Sequence, residues 1–192
     1  MSAAPEISAD VNLRWAESEL RMLLSGRVAV RLALRGSEPG WRRMRSETEL
    51  RCFHEVGHCV SALGSERYVY EVTISPNAYL QVGKGGPEYR FAGGFIRQGT
   101  SAEDPGSLPK EGRPDALETD ETRAIRIARI FAMTTLDKPA TWQSTLKVIR
   151  DFQARSEALL TANWRIVQKL AEALEIHRTL GQSDIARLVG RA

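Results

Sequence analysis

Two of the chain's 3 histidines, His54 and His58, stand four residues apart, with Glu55 beside the first, in the run Phe53-His54-Glu55-Val56-Gly57-His58. On a helix, residues four apart lie one turn apart on the same face, so both imidazoles can reach one Zn²⁺. Glu55 then sits beside them, where its carboxylate can take a proton from a water that the ion has acidified. The competing reading is a pair of hydrogen-bonded core histidines beside a surface acid. The pattern falls in the middle of a helical stretch, flanked by Phe53, Val56 and Val60 that would bury it, and this favours the metal reading.

A catalytic zinc keeps three protein ligands and leaves a fourth position to water, so a third ligand must come from elsewhere. The extended pattern with a third histidine six residues after the second would require a glycine at position 61 and a histidine at position 64, but Ser61 and Gly64 stand there. His177 lies in a terminal helix, far along the chain. Asp120 is a better candidate: Asp120, Ala124, Ile127, Ala128 and Phe131 recur at helical spacing, which puts this carboxylate at the start of a helix's buried face. An inward carboxylate needs a partner. Asp is also a favoured helix cap, and Thr119-Asp120 is where the helix begins. Periodicity alone leaves ligand and cap evenly matched, with Asp115, Glu118 and Glu121 as rivals.

The elements that must position these groups are legible in outline. Leu13, Leu20, Leu23, Leu24 and Val28 predict an amphipathic helix from Val11, broken at Gly26 and ended by Gly36 to Gly40. Ser46 followed by Glu49 is a capping-box signature opening the metal-bearing helix, which Gly64 stops. Tyr68 to Ile74 alternates as a half-buried strand, with Tyr68, Tyr70, Val72 and Ile74 on one face and Val69, Glu71 and Thr73 on the other. Shorter extended pieces are predicted at Tyr79–Val82 and Tyr89–Arg97, then a long polar loop from Gln98 to Glu118 containing Pro105, Pro109 and Pro114. Helices are predicted at Asp120–Thr134, Pro139–Leu160 and Thr161–His177, and a short one capped near Ser183, with stripes such as Leu146, Ile149, Phe152 and Leu159, or Trp164, Val167, Leu170, Ala171 and Leu174. The fold class is therefore α+β and predominantly helical. Residues 1–10 read as a tail, 11–192 as a single domain and 98–118 as its long loop.

With 192 residues, 42% hydrophobic and 27% charged, the chain can bury one core without disulfides. Cys52 and Cys59 are about 10 Å apart along one helix, too far for a disulfide, and read as packed thiols. No apolar run approaches a membrane span and the first residues lack a secretory pattern, so the expected location is the cytoplasm. No GxxxxGK[ST] phosphate loop occurs, which argues against ATP hydrolysis by this chain. The net charge of +3 is modest. Arg27, Arg31, Arg35, Arg42, Arg43 and Arg45 gather around Trp41, as in surfaces that stack bases and grip phosphates. Such runs are more often a solvated face, and nucleic acid is not the expected partner.

Together these segments resemble the peptidase domain of FtsH-type proteases. The family's HEAGH helix and following strand "VxKVTIxPRG" are matched by Phe53 to Val60 and by Tyr70-Glu71-Val72-Thr73-Ile74-Ser75-Pro76. Its "SDLxxATxxAR" helix, whose Asp is the third zinc ligand, is matched by Thr119-Asp120-Glu121-Thr122-Arg123-Ala124-Ile125-Arg126-Ile127-Ala128-Arg129. Its tail pattern parallels Ala158-Leu159-Leu160, Asn163 to Leu174 and Thr179-Leu180-Gly181 to Ile185.

The resemblance covers most of residues 48 to 189 and implies an HExxH helix with a small antiparallel sheet and a C-terminal helical bundle. It further implies Zn²⁺ held by His54, His58 and Asp120, Glu55 as the acid/base, and a polypeptide substrate, with an edge of the strand Tyr68–Ile74 or of its neighbour near Phe95 receiving it. The family's ATPase module and membrane anchor have no counterpart here, so a separate ATPase or adaptor is a possible partner. Its "GGRxAEE" helix is replaced by the proline-rich loop, and a similar segment, Leu23 to Ala29, precedes the metal motif instead. That placement predicts an N-terminal helix packed against the metal helix. The alternative function is a zinc-binding scaffold of the same fold that is catalytically silent or active only with a partner. Oligomeric state is not legible.

Overall fold

The computed structural model describes residues 9–35, 45–75, 95–99, 119–136 and 139–190. The first helix, α1 (Ala9–Arg35), runs through Gly26 without a break. The expected interruption is absent because Gly26 serves a contact, described below, and one glycine costs a long helix only about 1 kcal/mol. Leu20, Leu23, Leu24 and Val28 are all buried, as the spacing requires.

Helix α2 (Glu47–Leu63) opens with a complete capping box: the Ser46 hydroxyl accepts the Glu49 N–H at 3.1 Å, and the Glu49 carboxylate accepts the Ser46 N–H at 2.8 Å. Gly64 closes it, donating its N–H to Val60. A turn through Glu66, at φ 58°, leads into β1 (Tyr68–Thr73).

The sheet has order β2-β1-β3, with β2 (Phe95–Gly99) and β3 (Thr179–Gly181) both antiparallel to the central β1. Two expectations change here. The simple alternation along β1 fails, since Val69 and Val72 are both buried and Tyr68 is exposed; the pairing with β2 shifts between Val69 and Glu71, and an extra residue at such a bulge reverses which face its neighbours take. The third strand comes from the C-terminal region, where three residues between two helices carry too little pattern to read as a strand. The extended piece expected at Tyr79–Val82 lies outside the described residues, as does most of the 98–118 loop, whose first two residues belong to β2.

Helices α3 (Asp120–Leu136), α4 (Trp142–Ala162), α5 (Trp164–His177) and α6 (Gln182–Val189) complete the chain, so the protein is predominantly helical with a small antiparallel sheet. Thr141, rather than Pro139, starts α4, through a second capping box with Ser144.

Two apolar clusters hold these elements. One joins Val28, Ala29 and Ala33 of α1 to α2, β1, α5 and Ile185 of α6. The other joins Leu20, Leu23 and Leu24 of α1 to Ala124, Ile127 and Ala128 of α3 and Phe152 of α4. Helix α1 therefore belongs to both, and α2 lies directly against it. On the far side of α2, Phe53 stacks on Trp164 of α5 with ring centroids 5.6 Å apart. Among the described residues no helix is long and apolar enough to cross a membrane.

Candidate metal centre

The α1–α2 crossing is unusually close, and glycines make it so. A Cβ on Gly57 would stand 2.5 Å from the Ser25 carbonyl oxygen and 2.8 Å from the Ala29 Cβ, so only glycine lets α2 lie on this strip of α1. His58 follows Gly57 directly and His54 lies about one turn before it, so this contact fixes where both imidazoles emerge.

Asp120 reaches the same place from α3. Thr119 caps that helix: its hydroxyl accepts the Thr122 N–H at 3.2 Å and its carbonyl accepts the Arg123 N–H at 2.9 Å. Capping is thus done by Thr119, and the Asp120 carboxylate is free to point at the histidines. This resolves the choice between cap and inward carboxylate that periodicity left open.

Asp120 Oδ2 lies 3.2 Å from His54 Nε2 and 3.1 Å from His58 Nε2, and the two Nε2 atoms are 3.1 Å apart. Among the described residues these three form the one cluster of His, Cys, Asp or Glu able to hold a metal ion. Donors bound roughly 2.0–2.1 Å from a tetrahedral ion stand about 3.4 Å from one another, so two imidazole nitrogens and one carboxylate oxygen at these separations fit a single small divalent cation.

A second contact orients the donor set. His58 Nδ1 lies 2.7 Å from the Met22 carbonyl oxygen of α1. A carbonyl can only accept, so Nδ1 carries the hydrogen and Nε2 of the neutral ring is left with its lone pair toward the cluster.

The local field favours positive charge there. Burial by itself would push the His58 imidazole down, but the hydrogen bond and charge of Asp120, helped by Glu55 and the Met22 carbonyl, outweigh it and hold the metal-free group up at about 9. For Asp120, burial pushes upward, and the bonds from His54 and His58 overcome it, keeping its carboxyl well below the usual carboxylate range. Glu55 is buried, and burial raises its carboxyl despite the opposing pull of His58 and His54. That is the direction useful to a group that must both take and return a proton.

Access is one-sided. The His58 side chain is 8% exposed, against 29% for His54 and 40% for Asp120, so the cluster opens past the latter two.

Helix α3 is pinned beside its first turn. Glu19 of α1 is buried and pairs with Arg123 of α3 at 2.5 Å and with Arg67, just before β1, at 3.2 Å. Arg27 meets Glu121 at 2.7 Å on the surface.

The remaining candidates separate cleanly. Glu121 is spent on that surface pair, His177 is exposed at the end of α5, and Asp115 and Glu118 lie outside the described residues. Four of the clustered arginines have partners within the chain. Arg31 and Arg35 share Glu157, each at 2.8 Å, Arg27 takes Glu121, and Arg45 lies over the Phe53 ring and binds the Ala33 carbonyl. Cys52 and Cys59 are buried free thiols. Burial, with the charge of Glu175, pushes Cys52 up to about 11, and burial pushes Cys59 up to about 12.

The structure brings together His54, His58 and Asp120, the three ligands expected from the sequence, but reading the sequence did not point to the contacts of the Met22 carbonyl and of Gly26 with the two imidazoles. A backbone carbonyl leaves no mark on residue type, and Gly26 reads more readily as a break than as a contact. Compared with protein-family models, curated proteins and solved structures, the chain matches none.

Proposed function

We propose that the protein is a zinc-dependent endopeptidase acting on unfolded or flexible polypeptides, of the kind its sequence resembles in FtsH-type peptidase domains. The observation that supports this most is the convergence of His54, His58 and Asp120 on one point, with the buried Glu55 next to the first ligand on the same helix.

His54, His58 and Asp120 would hold the ion. Zinc so bound supplies an acidified water, with a pKa near 7, and polarises the carbonyl to be attacked. Glu55 takes the proton of the attacking water and returns it to the leaving amine. Its burial and raised pKa suit both halves of that exchange. Met22, through its carbonyl, keeps His58 in the one tautomer that leaves Nε2 available.

Substrate reception by edge pairing shifts to one strand. Tyr68–Thr73 is central in the sheet, and β3 pairs with it at Glu71, Val72 and Thr73, so of the two strands expected to serve, it offers the shorter free edge. β2 has no second strand beside it among the described residues, and it packs against α2. An extended peptide added to β2 would run next to the metal helix.

The mechanism is tested by Glu55→Gln, which preserves shape and hydrogen bonding but cannot carry the proton. Zinc content should equal that of the wild type while kcat for cleavage of unfolded casein falls by ~10³-fold or more, toward the upper part of the range for general acid–base groups. Cleavage within a few-fold of wild type would reject Glu55 as the base.

A further inference from the structure

We propose that Gly26 is part of the metal centre: the absence of a side chain at this point of α1 keeps the two imidazoles in their ligating positions, and any larger residue expels the ion. This inference rests on reading His54, His58 and Asp120 as ligands.

The argument is steric. A Cβ at position 26 would stand 2.5 Å from His58 Nε2, 2.7 Å from His54 Cε1 and 2.8 Å from His54 Nδ1. Each is about 1 Å inside ordinary van der Waals contact. The atoms in the way are ends of side chains, not backbone, so they can swing aside. The helix crossing is set separately, by Gly57 against Ser25 and Ala29. A methyl group at position 26 therefore displaces both rings while α1 and α2 stay packed.

His58 cannot retreat cheaply. Its Nδ1 is tied to the carbonyl of Met22, one turn before Gly26 on the same face of α1. Moving Nε2 away from position 26 pulls on that bond, which fixes the tautomer. Helix α1 thus contributes to the centre twice, by a carbonyl that orients one ligand and by a missing side chain that gives both ligands room. It also closes that side, consistent with the opening past His54 and Asp120.

The test compares zinc affinity, by competition with a chromophoric chelator, in wild type and Gly26→Ala, together with thermal melts of both metal-free proteins. Wild type should bind about one zinc per chain, and the variant's affinity should fall by ~100-fold or more, at or beyond the upper end of the effect of removing a group that orients ligands. The metal-free variant should melt below the wild type, although alanine is the better helix former, because the displaced rings give up their contacts with the Met22 carbonyl and Asp120.

Gly26→Ala is also made in a His54→Ala/His58→Ala background, where the rings are gone. There the added methyl should leave the melting temperature unchanged or raised, even if the single variant folds poorly. Wild-type zinc affinity in Gly26→Ala would overturn the proposal, as would an equal loss of stability with and without the rings. A wild type that binds no zinc would remove the ligand reading itself, a result distinct from either of these.

Discussion

Asp120 shows why residue type alone underdetermines a site. Its carboxylate and a helix start are both visible in the sequence, but only the discovery that Thr119 does the capping assigns the carboxylate to His54 and His58. The histidine pair was legible because spacing by four is a helical signature and α2 is well marked by its capping box. Met22 was not, since it acts through its backbone. The two cysteines read correctly as buried thiols, and their chemistry gives a pH prediction. Unfolded thiols release protons near 9, while the folded ones are pushed to about 11 and about 12, so the folded state holds protons that the unfolded chain gives up. Their contribution to stability is complete below pH 9 and is lost as pH rises through 9 toward 12. A Cys52→Ala/Cys59→Ala protein should accordingly lose less stability between pH 8 and 10 than the wild type, measured by urea melts. At pH 8 the native thiols should also resist iodoacetamide, and both should react promptly in denaturant. Rapid labelling of the native protein would contradict the burial of either residue.

Among the elements, helices were far more legible than strands. Long apolar stripes and capping residues located every described helix to within a few residues, because such signals are local. The sheet depends on a bulge in β1 and on a three-residue strand after α5, and neither leaves a local periodic trace. The ties between elements were also invisible: Glu19 is one more acid in a helix until Arg67 and Arg123 are brought to it. This acid is buried with one arginine on each oxygen, so removing either partner leaves one buried oxygen without its cation. Arg67, the better shielded of the two partners, should matter more for stability: Arg67→Met should cost about 2–4 kcal/mol in urea unfolding. Arg123 is nearly half exposed, so Arg123→Met should cost less, but it frees the first turn of α3 and should weaken metal binding more than Arg67→Met does. Equal effects of both substitutions on both quantities would deny α3 this anchoring.

For the whole molecule, the consequence is that three helices meet at one point. α2 carries two of the residues proposed as ligands, α3 the third, and α1 the Met22 carbonyl and the proposed clearance behind them, while α1 also runs through both apolar clusters. An ion bound there would therefore tie the two clusters together and should stabilise the entire fold. With free zinc at 100 times its dissociation constant, the gain is about 2.7 kcal/mol, or roughly 5–10 °C in Tm for a domain of this size. Chelation should lower Tm by that amount in the wild type and by little in His58→Ala. The most direct measurement of the central claim is zinc content by elemental analysis of purified wild type beside Asp120→Ala, followed by a casein cleavage assay with and without chelator. The account predicts about one zinc per wild-type chain, loss or marked weakening of zinc in Asp120→Ala, and cleavage that chelation abolishes. Zinc without cleavage would contradict a self-sufficient peptidase and leave a partner-dependent or silent site, and a wild type free of zinc would contradict the metal centre altogether.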